Sequence, residues 1–270
     1  MTGTSYTRAH LRQALLDLRL ERGDVVFSHS NIGFFGRPAD VNDADDLCRM
    51  FSEEIMNCIG PDGALVVPTF TYSFPKKEVF DVEGSPSNMG MFAEWVRKQP
   101  NALRSADPCY SVAALGGRAA MLTDNAPVNS FGQESFFDRF YSCGGKILNL
   151  NFDAGSTFVH YVERCIGVPY RFEKTFLGRV RQNGQEREAQ STIWVRYLSD
   201  DALIAAFEPF DRLAREKGLV RTHPLGRGEI VLMRAEDTYN LIADTLPNRP
   251  WLLTRCEELG IGQPRIVPEG

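Results

Sequence analysis

The chain has 270 residues, 43% of them hydrophobic, with 35 acidic against 30 basic side chains and a formal charge of −5. That length favours one large domain with a sizeable core, and the mild acidity argues against a nucleic-acid partner, which calls for a basic excess. No apolar run approaches the ~20 residues of a membrane span. The polar stretch from Met1 to His10 lacks the apolar segment of a secretory signal, so a cytoplasmic location is expected. The six cysteines (Cys48, Cys58, Cys109, Cys143, Cys165 and Cys256) show neither C-x-x-C nor zinc-ligand spacing, so reduced thiols and no metal are expected.

Thr7 is a suitable cap for a first helix carrying Leu11, Ala14, Leu15 and Leu18 on one stripe, with Gly23 marking its end. Residues 24–28 then read as a short buried strand. A second helix over 43–58 presents Leu47, Met50, Phe51 and Ile55 on one face. The turn Gly60-Pro61-Asp62-Gly63 leads into a buried strand at 64–67. A helix is expected over 88–98, a strand over 111–115, a strand over 146–150 and a helix over 157–166. Runs 176–182 and 192–198 flank Asn183-Gly184, whose residue types tolerate the positive φ angles of a tight hairpin turn. Helices at 203–216 and 238–246 and a late strand at 230–233 complete the reading. Strands alternating with helices over the first ~165 residues predict an α/β layered fold with a mixed sheet. No linker divides the chain, so residues 1–270 are taken as one domain.

Three of the predicted strands run into polar segments: Ser28-His29-Ser30-Asn31, Thr69-Phe70-Thr71-Tyr72-Ser73, and Asn151 through Thr157. In open α/β sheets the ligand crevice lies outside such strand ends. Of the four histidines, His10 reads as solvated surface and His223 falls in a late loop, whereas His29 and His160 sit at the predicted crevice. His160 would occupy the first turn of its helix, where the helix dipole disfavours imidazolium and leaves the neutral ring a general base needs. Glu163, three residues on, or Asp153 from the preceding loop could hold the ring; the bland alternative is a satisfied structural histidine. No G-x-S-x-G elbow, P-loop or G-x-G-x-x-G is present, and Cys109 has no adjacent base.

As a set, these blocks resemble the aminoglycoside 3-N-acetyltransferase family of antibiotic N-acetyltransferases. The matching stretches are His29-Ser30-Asn31-Ile32, Gly60 through Thr71, Phe80-Asp81, Ser85 through Gly90, Arg104 through Pro108, Ser111 through Gly116, Phe131-Gly132, Gly144 through Leu148, and Thr157-Phe158-Val159-His160-Tyr161-Val162-Glu163. They occur in the family's order between about residues 10 and 170; the last hundred residues match less clearly. The resemblance implies a three-layer α/β/α fold with a mixed central sheet, here with a β-hairpin after the catalytic helix. It also implies acetyl-CoA or another short acyl-CoA as donor, and no metal.

Carried over residue by residue, the resemblance makes His160 the general base, with Glu163, Asp153 and His29 as the other catalytic candidates. It maps His29 and Ser30 beside the CoA arm and Arg104, Ser105 and Ser111 onto donor contacts, and Asn31, Ile32 and Ala113 of the same blocks are placed on the CoA side with them; Thr69, Tyr72, Asp107, Arg171 and Lys174 are taken as acceptor-side candidates from their positions at the strand ends and in the basic run after the helix. Two positions depart from the family pattern: Asn31 stands where H-S-S has its last serine, and Asp107 where R-S-x-H-P has histidine.

The function expected is acyl transfer from a CoA thioester to the amine of an amino sugar, with a homodimer as a candidate assembly. The basic run Arg171, Lys174, Arg179 and Arg181 tilts the acceptor towards a nucleotide-linked amino sugar, whose diphosphate suits arginine. The alternatives are an aminoglycoside acceptor, and so antibiotic resistance, or a non-catalytic CoA-binding homologue.

Overall fold

The computed structural model describes residues 5–268. Helix α1 (Arg8–Asp17) buries Leu11, Ala14 and Leu15 and is capped as the sequence suggests: Thr7 Oγ1 accepts from the His10 N–H, and the His10 ring accepts from the Thr7 N–H. The exposed His10 is therefore a cap partner as well as a surface residue. The chain continues through β1 (Val25–Phe27), α2 (Ala44–Ile59), β2 (Ala64–Pro68), β3 (Phe80–Asp81) and α3 (Met91–Arg97). Next come β4 (Leu103–Arg104), β5 (Val112–Gly116), α4 (Ala119–Thr123), α5 (Phe136–Ser142), β6 (Lys146–Leu150) and α6 (Phe158–Ile166). A long hairpin, β7 (Arg171–Gln182) and β8 (Gln185–Arg196), precedes α7 (Glu208–Glu216), β9 (Arg221–Leu225), β10 (Gly228–Arg234), α8 (Ala235–Thr245) and α9 (Arg255–Leu259).

Among the described residues, seven strands form the central sheet in the order β4-β5-β2-β1-β6-β10-β9. The middle three, β2, β1 and β6, are parallel, while β5 and β10 join antiparallel on either side, so the sheet is mixed as predicted. Successive strand residues face opposite sides. Val25, Phe27, Val66, Ile147 and Val231 enter one core with Phe137, Phe140, Phe158 and Val162 from α5 and α6. Val26, Leu65, Val67, Leu148 and Leu232 enter the other with Leu15, Phe51, Ile55, Phe92 and Val96 from α1, α2 and α3. Helices on both faces of one sheet give the three-layer α/β/α arrangement. Each fully buried aliphatic or phenyl side chain contributes about 1.5–3 kcal/mol.

Several elements differ from expectation for local reasons. The helix expected over 203–216 divides into a 3₁₀ turn (Asp201–Leu203) and α7, because Pro209 in the first turn sets where the helix starts. Strand β9 carries Pro224 and lies at the sheet's edge, where a missing N–H is tolerated, so His223 belongs to a strand and not to a loop. The hairpin turns at Asn183-Gly184, both with positive φ (50° and 72°), and closes with Gln182 opposite Gln185. Its strands are longer than the sequence suggests, because charged residues alternate along their exposed positions. Together with β3 they make a separate three-stranded sheet. No helix among the described residues is long and apolar enough to cross a membrane.

Candidate active site

Because β2, β1 and β6 are parallel, their C-terminal ends open on one edge of the sheet. Pairing between β1 and β6 extends beyond the strands: Asn31 N–H donates to Leu150 O (2.8 Å) and Leu150 N–H to His29 O (2.9 Å). Asn149, fully buried in β6, donates from Nδ2 to Asp153 O (2.6 Å) and Gly155 O (2.8 Å), pinning the loop that leads into α6. His29 Nε2 lies 3.1 Å from Thr157 Oγ1, fixing the helix start against the end of β1.

His160 sits in the first turn of α6, its N–H bonded to Thr157 O at 3.0 Å. Its Nδ1 is 2.7 Å from Glu163 Oε2, one helical turn on. Tyr170 donates to Glu163 Oε1 at 2.9 Å, and Arg171 Nε stands 2.7 Å from Oε2. That last contact lacks the alignment of a hydrogen bond, so its hold on the carboxylate is electrostatic. Glu163 has no exposed surface, whereas the His160 side chain keeps 14% of its own. The ring lies between Phe131 and Phe207, centroids 6.2 and 6.0 Å away, and its Nε2 makes no hydrogen bond among the described residues.

Burial is the main cause of the low pKa of His160, and the Arg171 charge adds to it against the opposing pull of Glu163. Desolvation and a neighbouring cation thus both favour the neutral ring, where the sequence points to the helix dipole. For Glu163, burial pushes upward but is outweighed by Arg171, His160 and the Tyr170 hydroxyl, so its carboxyl lies below the usual range. Asp153, the other candidate for orienting the ring, instead turns its own loop: its Oδ1 accepts from the Gly155 N–H at 2.8 Å.

The structure gives most of the remaining candidates other duties. Arg104 donates to Val82 O, Ser85 O and Thr69 O and shares Nε–H between the hydroxyls of Thr69 and Ser111. Burial lowers its pKa to about 10, and its guanidinium ties β4 to the loop after β3 and the end of β2 in place of a CoA phosphate. Ser111 Oγ donates to Thr69 O and Thr69 Oγ1 to Ser111 O, both within a fully buried pair, so Thr69 cannot reach an acceptor. Ser105 Oγ accepts from the Val112 N–H. Ala113 and Ile32 point into the core beneath the sheet, which removes them from the CoA side. Asp107 accepts from the N–H groups of Cys109 and Tyr110 in a buried turn, using its carboxylate internally. Asn31 precedes a 3₁₀ turn (Ile32–Phe35), and Ser30 pairs with Leu150 beside His29. Tyr72, at φ 53°, packs edge-on to Tyr110 with centroids 5.3 Å apart.

Among the described residues, the three arginines of the basic run all face carboxylates. Arg171 faces Glu163, Arg179 pairs with Glu186, and Arg181 pairs with Glu186 and Asp81. Lys174 lies over the Phe176 ring. Two groups result: His29 and Ser30 at the end of β1, with His29 against Thr157 at the start of α6, and His160, Glu163, Tyr170 and Arg171 joined through the Glu163 carboxylate. Sequence reading places Thr157 at the helix start without its contact to His29 and misses Tyr170 altogether, because these contacts with His29 and Glu163 are not encoded in spacing.

His29 carries a pH consequence. Its Nδ1 is buried with no hydrogen-bond partner among the described residues, and burial lowers its pKa to about 4. As pH falls from the unfolded value of about 6.5 towards 4, the unfolded chain takes up a proton that the folded chain refuses, so stability is full above this window and lost within it. Denaturant titrations should show His29 costing about 2 kcal/mol by pH 5 relative to pH 7. His29→Gln should flatten that slope; an unaltered slope would refute the attribution.

The fold is a mixed α/β/α sheet with His160 and its partners in the helix that follows β6, and the sequence family to which the chain belongs is one of acyl-CoA-dependent N-acyltransferases. The chain belongs to the aminoglycoside 3-N-acetyltransferase family, whose sequence profile matches residues 42–247. It is 27% identical to aminoglycoside N(3)-acetyltransferase IV of Salmonella sp over 265 residues, covering 96% of this chain and 95% of that protein. With aminoglycoside N(3)-acetyltransferase IX of Micromonospora chalcea it shares 24% identity, covering 88% of this chain and 92% of the relative. Among solved structures, AAC-IIIb in binary complex with CoASH superposes with a TM-score of 0.77 at 21% identity, over 91% of this chain and 98% of that one. AAC-VIa bound to sisomicin gives 0.76 at 23% identity, over 91% and 99%. At these identities the structural likeness establishes the fold.

Proposed function

We propose that this protein transfers the acetyl group of acetyl-CoA to an amine of an aminoglycoside, and that His160 is the general base. The family membership supports the donor and the acceptor class. The His160–Glu163 contact of 2.7 Å carries the assignment of the base. With Glu163 ionised, Nδ1 is the protonated nitrogen, and the lone pair of Nε2 is the one available to a substrate. His160 Nε2 removes a proton from the amine as its nitrogen attacks the thioester carbonyl; the carbon–sulfur bond breaks, and the imidazolium returns the proton to the departing sulfur. His29 and Ser30 lie at the neighbouring strand end, on the side read as holding the thioester. The nucleotide-linked acceptor loses its support once Arg171, Arg179 and Arg181 are seen to face carboxylates. Residues 1–270 act in this reading as one catalytic unit.

The test is thiol release from acetyl-CoA with sisomicin, and separately with a uridine-diphosphate amino sugar, followed by NMR of the product. Release with sisomicin and an acetyl group on its 3-amino nitrogen is expected. Release with the nucleotide sugar alone would overturn the acceptor assignment, and release with neither acceptor would overturn the acyl-transfer reading as a whole.

A further inference from the structure

Glu163 is a fully buried carboxylate surrounded by three potential donors, and only one of them has a fixed charge. Tyr170 reaches Oε1, while His160 and Arg171 both reach Oε2. A guanidinium stays protonated at every accessible pH. It therefore stabilises the ionised form of its partner and forbids the arrangement in which Glu163 is a neutral acid donating to the ring. An ionised Glu163 can only accept, so the proton between it and His160 resides on Nδ1. Charge balance then decides the state of the ring. Glu163 and Arg171 cancel, and a further positive charge on the imidazole would sit next to a guanidinium in a poorly solvated place. Without Arg171, the same carboxylate would draw a second proton onto the ring as its counter-charge.

We propose that Arg171 is a positioning residue of this site, fixing Glu163 as a carboxylate and thereby His160 as the neutral Nδ1–H tautomer with a bare Nε2. The inference rests on reading His160 as the base, and it replaces the expectation that Arg171 binds the acceptor. The groups around the ring support it. Glu163 comes from the ring's own helix, Tyr170 and Arg171 from the segment entering β7, and Phe131 and Phe207 contribute only aromatic surface. The charges acting on the ring are those of Glu163 and Arg171. Arg171 is itself 6% exposed, out of reach of a bulky acceptor.

The experiment pairs pH-dependent kinetics with ¹⁵N NMR of the histidine ring in the intact protein. In the wild type at pH 7, His160 should show a protonated Nδ1 and an unprotonated Nε2; an imidazolium or the opposite tautomer overturns the proposal without any variant. In Arg171→Gln the ring's titration and the acid limb of kcat/KM should both move to higher pH. At pH 6.5 the rate constant should fall about tenfold, with recovery towards the wild-type value above pH 8. Arg171→Lys, which restores the charge, should keep both near wild type. A folded Arg171→Gln with an unmoved ring titration, or an Arg171→Lys displaced as far as Arg171→Gln, overturns the assignment. If Arg171→Gln does not fold, the wild-type ring spectrum and Arg171→Lys still decide. Full turnover in His160→Ala would remove the base reading on its own, while the ring spectra would still judge what Arg171 does to the imidazole.

Discussion

His160→Ala is expected to lower turnover about 10²–10⁴-fold, the usual worth of a placed general base, with little change in CoA affinity or in folding stability. The separation of effects follows from the packing. Among the described residues the ring is hydrogen-bonded through Nδ1 alone, and the carboxylate it leaves behind still has the Tyr170 hydroxyl and the Arg171 charge beside it. No buried charge is stranded, so the variant should fold. Thiol release under saturating substrates measures turnover, and calorimetric titration with CoA measures donor binding. A variant within threefold of the wild type would sink the assignment. The limb of the wild-type profile that belongs to the base should lie on the acid side of an ordinary imidazole's, because the base must be neutral and burial with Arg171 depresses its pKa.

The parts of the molecule that depend on periodicity are legible in the sequence alone. The stripe of α1, the alternation that sends Val25 and Val26 to opposite cores, and the Asn183-Gly184 turn all follow from local chemistry. The His160–Glu163 pair belongs with them, since an i,i+3 contact is fixed once the helix is placed. What could not be read is what each polar side chain meets from a distant part of the chain. Arg104, Ser105 and Ser111 match the family's R-S-x-H-P-x-x-S block and so read as donor contacts. In space they satisfy the backbone where β2, β4 and β5 converge. The basic run misled for the same reason: its partners Glu186 and Asp81 lie across the hairpin and on the short strand beside it. Arg171 shows the limit most sharply. Its sequence context, a basic run after the helix, suggests an acceptor contact, whereas the left-handed Gly167 (φ 78°) that ends α6 turns the chain so that Tyr170 and Arg171 come back against Glu163.

Glu163→Ala is expected to damage both folding and catalysis, for different reasons. Deleting the carboxylate leaves the Arg171 guanidinium, 6% exposed, without its counter-charge, and leaves the Tyr170 hydroxyl, itself buried, without its acceptor. Breaking a buried pair on one side costs about 3–5 kcal/mol, enough to shift a urea midpoint substantially. Catalysis suffers because nothing then selects the Nδ1–H tautomer of His160. The two effects separate in the double variant Glu163→Gln with Arg171→Met. Removing both charges avoids the stranded cation, and stability should return most of the way to wild type, whereas turnover should stay low because an amide does not hold the ring as a carboxylate does. A double variant as unstable as the single one would mean that shape, and not charge balance, holds this corner together. A single variant that costs under about 1 kcal/mol would mean that the Arg171 charge finds water, contrary to its burial.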